Sequence, residues 1–244
     1  MATLTTATET MVLDRRYRPK LPSRHASTKF SGCRPSKLPN AASADRSCSA
    51  VKTIPTLDPV EDTSVVVPGR SYAELMRVLS DTDDPVEVML AQSKSQILFH
   101  IEGIDLVSRL IDGQFPNYQQ VLPTTHTTRA VIDREELLKA VRLSALIASS
   151  AANVVKLRSE SAESGALTIA AAADVGEAQG EVEAAIEGEP VTIAFNARYL
   201  QEALQNVDAD QLALEFTGPL SPGVLKPIGD DDYVHVIMPV RTPS

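Results

Sequence analysis

The sequence predicts an α+β fold in which helices cover one face of antiparallel β-sheets. One order of elements, a strand, a helix and three strands, recurs three times between residues 64 and 239. Each copy spans about 60 residues and its helix carries an apolar stripe, which is typical of a modular architecture built by duplication. With 244 residues and a hydrophobic content of 43%, the chain has room for one large domain or two of ordinary size.

The first copy of this pattern begins at Ser64. We predict a strand over 64–67 and a helix that opens at Pro68-Gly69-Arg70-Ser71. The apolar stripe of this helix consists of Tyr72, Leu75, Met76 and Leu79. Three strands follow, joined by tight connections at 94–95 and 102–103, and they span 86–91, 96–101 and 104–110.

A Gly and a Pro interrupt the periodicity in residues 112–118, which we interpret as an ordered linker between two domains. In the second copy, a strand over 129–132 precedes a helix that Asp133 caps and that ends near Ser149. In the third, Asn196 caps the helix. The predicted helix stripes are Leu138, Val141, Ala145 and Ala148, then Leu200, Ala203, Leu204 and Val207. The remaining predicted strands are 154–158, 166–172, 181–186, 191–195, 212–216, 223–228 and 233–239.

Residues 1–50 have no sustained period, and Pro19, Pro22, Pro35 and Pro39 are scattered among Ser, Arg and Lys. We expect this segment to be disordered. Its composition also fits an organelle transit peptide or a basic arm that binds nucleic acid. Residues 1–52 carry a net charge of +7, whereas the rest of the chain carries −16. The basic N-terminal segment and the acidic remainder are therefore different kinds of chain.

Composition excludes several classes of protein. An acidic body argues against nucleic-acid binding over the whole surface, so any basic residues that contact DNA must lie together on one inner face. We find no apolar run near the roughly 20 residues that a membrane helix requires, which predicts a soluble protein. Because Cys33 and Cys48 are the only cysteines, neither a disulfide framework nor a four-ligand zinc site is expected, and a reducing cytoplasm fits.

We find no catalytic constellation in the sequence. His25, His100, His126 and His235 lie in separate segments without metal-ligand spacing, and the glycines form neither a P-loop nor a dinucleotide motif. The run 230–232 of three Asp residues beside a Gly is typical of a solvated turn. We therefore predict no enzyme activity and no cofactor.

Three groups of residues resemble one known family. The first is Ser108-Arg109-Leu110-Ile111-Asp112-Gly113-Gln114-Phe115-Pro116-Asn117-Tyr118, and the second runs from Phe195-Asn196 through Tyr199-Leu200. The third is Phe216-Thr217-Gly218-Pro219-Leu220-Ser221-Pro222, followed by Val236-Ile237-Met238-Pro239-Val240-Arg241. In this order and spacing they make residues 50–243 resemble the bacterial β sliding clamp, the β subunit of DNA polymerase III.

The resemblance implies a non-catalytic accessory subunit of the polymerase holoenzyme, a cytoplasmic homodimeric ring that encircles double-stranded DNA without sequence specificity. Helices would line the central hole, with the sheets outside. Basic side chains on those helices would contact DNA phosphates, and the matching residues are Arg77, Arg134, Lys139, Arg142 and Arg198. Alternatively, they form ordinary solvated helix faces, which the spacing of Glu135 and Lys139 as a surface ion pair supports.

The resemblance also implies a pocket between the second and third domains for short peptides of the polymerase catalytic subunit and the clamp loader. Met and branched aliphatic side chains suit an adaptable trough for an extended peptide. The alternative is that 236–238 form a buried final strand. The matching positions are Pro116, Gln120, Val121, Asn196, Tyr199, Leu220, Pro222, Val236, Ile237, Met238, Pro239 and Arg241.

The match has a gap upstream. A full clamp has three domains, and here 51–122 resemble the second half of the middle domain with its connector, whereas 123–244 resemble the whole C-terminal domain. We therefore expect a shortened clamp that does not close a two-subunit ring by itself. For residues 1–50, the hypothesis is a segment read in a displaced frame.

Other function classes stay open. A peptide-binding interaction module would keep the pocket without encircling DNA, and a shortened chain without activity is a second alternative. The third is an enzyme of nucleotide metabolism, although no acidic cluster for two metals and no positioned nucleophile supports it.

Overall fold

The computed structural model describes residues 10–12, 40–44, 48–53, 65–79, 86–91, 93–101, 103–113, 120–159 and 165–242. The chain forms two compact units. The first comprises Met1–Asp45 and Val51–Pro116, and the second comprises Arg46–Ala50 and Asn117–Ser244. The domain limits that we placed at 51 and 123 stay predictions.

Three short strands lie in or across the segment 1–50, for which we expected no regular structure. They are β1 (Thr10–Val12), β2 (Asn40–Ala44) and β3 (Cys48–Thr53), and β1 pairs with β2 in parallel. Strands of so few residues produce no detectable period in a sequence. The other residues of this segment lie outside the described residues.

The first unit contains α1 (Gly69–Val78), β4 (Glu87–Leu90), β5 (Gln96–Ile101) and β6 (Ile104–Arg109). The three strands form an antiparallel sheet in chain order. Gly103, with φ +83°, makes the tight turn between β5 and β6. The predicted strand over 64–67 is wrong for its described part, because 65–68 form no regular ladder. There the carbonyl oxygen of Val66 accepts a 2.8 Å hydrogen bond from the Ile111 amide.

The core of the first unit lies between α1 and its sheet. Tyr72 and Leu75 of the helix pack against Ile97, Phe99 and Ile101 of β5. The rings of Tyr72 and Phe99 lie 5.9 Å apart between centroids in a tilted arrangement. The predicted helix stripe is thus confirmed at its two buried positions, whereas Met76 and Leu79 stay partly exposed.

The second unit repeats one pattern twice. The first repeat has β7 (Thr128–Asp133), α2 (Arg134–Ala148), β8 (Val154–Ser159), β9 (Ala166–Ala173) and β10 (Gly176–Gly188). The second has β11 (Val191–Asn196), α3 (Ala197–Asn206), β12 (Gln211–Phe216), β13 (Gly223–Pro227) and β14 (Tyr233–Ile237). These strands follow one another in the sheet in the order β14-β13-β12-β7-β10-β9-β8-β11, with antiparallel neighbours.

Strand β10 joins the two halves of this sheet. Its residues 176–183 pair with β9, and residues 184–188 pair with β7. We predicted only 181–186, because Gly176 and Gly180 lower the β propensity of the first half. Pairing with β9 over the full hairpin overrides that weak local preference.

Helices α2 and α3 pack side by side against the sheet. Their buried residues form one hydrophobic cluster with the inward-facing positions of the strands, among them Leu157, Ile169 and Ile193. The predicted α2 stripe needs a correction, since Leu137 and Ser144 are buried and Ala145 only partly so. The small hydroxyl side chain of Ser144 does not mark a core position in a hydrophobicity pattern.

Both predicted helix caps are confirmed. A carboxylate oxygen of Asp133 accepts a 2.9 Å hydrogen bond from the Glu136 amide, and the side-chain oxygen of Asn196 accepts one of 3.0 Å from the Arg198 amide. These bonds fix where α2 and α3 begin. Within the described residues, no helix has the length and apolar character that a membrane span requires.

Candidate functional site

The final strand contains two of the predicted pocket residues, and both are inaccessible. Val236 is 2% exposed and Ile237 is 0% exposed, and Ile237 belongs to the hydrophobic core beneath the helices. In this conformation Ile237 cannot touch a peptide, so the structure corrects its assignment to the pocket. Burial at 236–237 matches the alternative of a buried final strand, since the ladder with β13 is hydrogen-bonded there.

The residues after β14 form a partly exposed tail. Met238 and Pro239 are half-buried, and Arg241 is exposed. The Val240 amide donates a 2.8 Å hydrogen bond to the carbonyl oxygen of Ala194. The tail is therefore held against β11, the last strand of the sheet order.

A turn over 217–222 faces this tail across a groove. The Thr217 hydroxyl donates a 2.9 Å hydrogen bond to the carbonyl oxygen of Thr125, and Leu220 is 62% exposed. Pro222 is half-buried at the end of the turn. A single exposed apolar side chain is common on protein surfaces, so the place of Leu220 beside the groove matters more than its exposure.

The groove itself encloses about 300 Å³. Of its lining residues, only Leu220 is among those that we predicted. The other lining residues come from four separated segments of the chain, so no pattern in the sequence places them together. The alternating pattern of β8 and β11 predicts only that Lys156 and Thr192 point outward. The lining consists of Lys156, Thr192, Ala194, Pro219, Leu220, Val240 and Thr242.

Four more predicted pocket residues lie in the described part of the second unit. Asn196 is half-buried, and its side-chain oxygen is engaged in capping α3. Tyr199 packs with its apolar part against the hydrophobic core. Gln120 is exposed and Val121 is half-buried at the start of the unit. Pro116, the remaining predicted residue, lies outside the described residues.

Two of the five predicted DNA-facing cations are held by carboxylates on their own helix. The guanidinium of Arg77 contacts Glu74 at 2.9 and 3.0 Å, and that of Arg198 contacts Glu202 at 3.0 Å. Both arginine side chains are more than three-quarters exposed. Their charges are thus partly compensated before any phosphate approaches.

Arg134 has a structural role that the sequence did not reveal. Its Nε donates a 2.9 Å hydrogen bond to the carbonyl oxygen of Ala209, and Nη1 lies 3.5 Å from the carbonyl oxygen of Leu204. Leu204 lies in the last turn of α3, where carbonyl groups lack helical partners and favour a cation. Arg134 therefore links the start of α2 to the end of α3.

The remaining two cations, Lys139 and Arg142, lie exposed on α2. Within the described ranges, neither has an ion-pair partner. The expected ion pair of Glu135 with Lys139 does not form, because the Glu135 carboxylate lies 3.6 Å from the guanidinium of Arg134. Leu143 and Leu146 lie beside them and are 66% and 70% exposed. The exposed face of α2 thus combines free positive charge with apolar surface.

No group of side chains in the described part of the chain could hold a metal ion. Its three histidines have different partners. Nδ1 of His100 lies 2.6 Å from Asp105, that of His126 lies 3.9 Å from Glu215, and that of His235 lies 3.0 Å from the Tyr233 hydroxyl. The hydrogen bond to Asp105 raises the pKa of His100 above its usual value, and burial raises the pKa of Tyr233. These pairs serve local structure.

Comparison with known families gives two adjoining matches. The model for the DNA polymerase III beta subunit, C-terminal domain, matches residues 119–241. The model for the central domain of that subunit matches residues 37–117, so it starts before the limit that we placed at 51. The chain belongs to the DNA polymerase III beta subunit family.

Individual relatives agree. The chain is 31% identical over 195 residues to the beta sliding clamp of Staphylococcus aureus strain Mu50, and 30% identical over 194 residues to that of Staphylococcus epidermidis. Each alignment covers 79% of this chain and 51% of the relative. The chain thus spans about half the length of these relatives.

Solved structures agree with the predicted fold. The sliding clamp from Bacillus subtilis has a TM-score of 0.78 at 28% identity, covering 84% of this chain and 54% of that one. The DNA polymerase III beta chain from Streptococcus pneumoniae TIGR4 has a TM-score of 0.76 at 28% identity, covering 82% and 53%. The chain has the α+β sliding-clamp fold.

Proposed function

We propose that this chain supplies the C-terminal part of a DNA sliding clamp, a non-catalytic processivity factor that holds double-stranded DNA and docks partner peptides. The packing of α2 beside α3 on one side of the sheet carries the proposal, because a helix-lined face is the surface that a ring presents to DNA. Membership of the clamp family supports it.

DNA contact would be electrostatic and independent of sequence. Lys139 and Arg142 are the best candidates, since they are exposed and lack an ion pair within the described residues. Arg77 and Arg198 would contribute less because Glu74 and Glu202 already hold them. A few such contacts bind weakly at physiological salt, so retention on DNA would depend on a closed ring.

Peptide docking would use the exposed turn and the C-terminal tail of the second unit. Leu220, Met238 and Pro239 offer apolar contacts, and Arg241 offers a positive charge. The occupants would be short extended segments of the replicative polymerase catalytic subunit and of the clamp loader, which suits a site bounded by a sheet edge.

Retention on circular DNA tests the ring. The purified chain would be incubated with nicked circular DNA, ATP and the clamp loader of the same organism, then passed through a sizing column before and after linearisation. A sliding ring co-elutes with the circle and is lost from the linear DNA. Co-elution with the circle that disappears on linearisation would support the clamp function, and elution apart from the circle under the same conditions would contradict it.

A peptide-binding interaction module is the second candidate function. The groove between the turn and the tail is formed by the second unit alone, while three of the five predicted DNA-facing cations are engaged within the protein. Peptide binding without retention on circular DNA, even in the presence of a complete clamp, would favour this function.

A further inference from the structure

We propose that the segment 65–67, helix α1 and the β4-β5-β6 sheet, together called the half-domain below, are completed by the half-domain of a second copy of this chain. The two copies would meet around a two-fold axis, through the edge of β4 and the flank of α1. This contact depends on neither DNA nor peptide binding, so it goes beyond the proposed function.

The half-domain has the same layout as the second repeat of the second unit. The Ile111 amide donates a hydrogen bond to the carbonyl oxygen of Val66, and the Val240 amide donates one to that of Ala194, each at 2.8 Å. Val66 lies two residues before the N-cap residue of α1, as Ala194 lies two residues before that of α3. Residues 65–67 are therefore the counterpart of the end of β11.

The two repeats of the second unit join through symmetric contacts. The first strand of each repeat, β7 or β11, pairs with the strand that follows the helix of the other repeat, β12 or β8. The registers agree, because Ile132 and Phe195, each one residue before its helix cap, lie opposite Leu212 and Val155. Helices α2 and α3 pack beside each other at the same junction. Each repeat thus offers the surface that it receives, which is the condition for a contact between identical copies.

The half-domain has the elements for this contact but no second repeat among the described residues. There β4 is the edge strand of its sheet, whereas its counterpart β12 has β7 beside it. In the described part of the first unit, α1 is the only helix. Residues 65–67 form no ladder, although their counterpart in β11 pairs with β8. A strand whose partner belongs to another repeat is thus left without its ladder.

The core of the half-domain is correspondingly open. Strand β4 has no fully buried residue, whereas four of the six residues of β12 are buried. Met76 is half-buried, whereas Leu204, equally far from its helix cap in α3, is 0% exposed. Burial of such apolar surface drives association. Three further apolar residues at this edge pack against the core and stay partly exposed, namely Val86, Val88 and Leu90.

The ladders of the second unit fix which residues of the two copies would meet. Counting through the strands from the shared hydrogen bond places Glu87 at the position of Ala213. Ala213 lies opposite Val131, two residues before the cap of α2. Val66 should therefore lie opposite Glu87 of the other copy. The same pairing would occur twice, and it would cover both open edges of β4.

Cysteine cross-linking of the full chain tests this register, in a background with Cys33→Ser and Cys48→Ser. Chains with Val66→Cys and chains with Glu87→Cys, mixed and oxidised, should give a covalent dimer on a non-reducing gel. Opposed Cα atoms of antiparallel strands lie about 4.5–5.5 Å apart, within the reach of a disulfide. Either variant oxidised alone should stay monomeric on the gel, because only unlike positions meet. Val66→Cys mixed with Arg109→Cys is the matched control, since Arg109 lies on β6 at the other edge of the sheet.

Light scattering measures the association itself. The unaltered chain should have twice its mass of 26.2 kDa and should dissociate on dilution. Met76→Glu should raise the dissociation constant of the dimer at least about tenfold, because it would bury an unpaired charge beside the second α1. Ala73→Glu is the control on the same helix, because its counterpart in α3 is the half-buried polar residue Gln201. Circular dichroism checks that both variants are folded.

Two results would overturn the proposal. One is a chain that stays monomeric up to about 0.1 mM. The other is a dimer whose Val66→Cys and Glu87→Cys mixture gives no more cross-link than the Arg109→Cys control, because the copies would then meet through another surface. Neither result bears on retention on DNA or on peptide binding, which test the proposed function separately.

Discussion

The guanidinium of Arg134, the first residue of α2, donates a 2.9 Å hydrogen bond to the carbonyl oxygen of Ala209 beyond the end of α3. The Arg134 amide donates a second bond, of 2.8 Å, to the carbonyl oxygen of Asp210. A residue that resembles a DNA contact of the family thus ties together the two helices of the second unit. Its positive charge and its structural role need separate tests.

Arg134→Ala should lower the free energy of unfolding by about 1–2 kcal/mol, because it removes a hydrogen bond from a partly buried charged group and a cation from the end of α3. Arg134→Lys keeps the charge but not the planar donors and should be nearly as destabilising. Urea denaturation measures both. Lys139→Ala, on the exposed face, is the control and should stay within about 0.5 kcal/mol of the unaltered chain.

Gly223→Ala should be destabilising for a steric reason. A Cβ atom at this position would lie 2.5 Å from Cζ of Phe195, a buried ring that packs near Phe216. Overpacking of this kind costs about 1–3 kcal/mol. In a chain that already carries Phe195→Leu, adding Gly223→Ala should cost less stability than it does in the unaltered chain, because the ring that the new Cβ would strike is absent. Thermal unfolding measures both differences.

Gly180→Ala is the matched control for that substitution. No heavy atom lies within 4 Å of its added Cβ, so we expect little change in stability. An equal loss of stability in both variants would contradict the role of the Phe195 ring.

Lys139→Gln and Arg142→Gln should each weaken binding to double-stranded DNA at low salt. The slope of log affinity against log salt is negative, and each lost phosphate contact should make it less steep by about 0.9. Fluorescence anisotropy over a salt series measures this slope. Arg198→Gln should change it less, because Glu202 already holds that guanidinium; a larger effect for Arg198 would overturn our ranking of the cations.

The pair of His100 and Asp105 should make the first unit slightly more stable at acidic than at alkaline pH. The hydrogen bond to Asp105 raises the pKa of His100 above 6.5, so the folded state binds the proton more tightly than the unfolded state. The added stability is complete below the unfolded pKa and is lost as pH rises through the folded pKa. NMR titration of the ring should show the raised pKa, and Asp105→Asn should lower it; an unchanged titration would refute the cause.

Local signals in the sequence predict much of this fold. Asp133 and Asn196 were identified as caps because an N-cap needs only a suitable side chain and the amides that follow it. The strand pattern of β5 was predicted at its observed limits, because alternation of apolar residues is a local property. The first half of β10 and the short strands β1 and β2 were missed, since pairing with a partner defines them.

The candidate site is less predictable. The resemblance to the family pointed to Leu220 and to the residues after β14, but Ile237 turned out to be a core residue and Lys156 was not foreseen. Lys156, Ala194, Leu220 and Val240 become neighbours only when the sheet closes against the turn and the tail. No spacing along the chain encodes that proximity.

The sequence by itself determined most of the side chains that face the core, the residues that cap α2 and α3, and the family that the motifs resemble, because these depend on periodicity and on short runs of residues. Only the tertiary structure decided what the charged residues do. Arg134 is engaged at the end of α3, Arg198 is held by Glu202, and Lys156 faces an apolar groove. The partner of a charge depends on distances between segments far apart in the chain, and folding alone sets those distances.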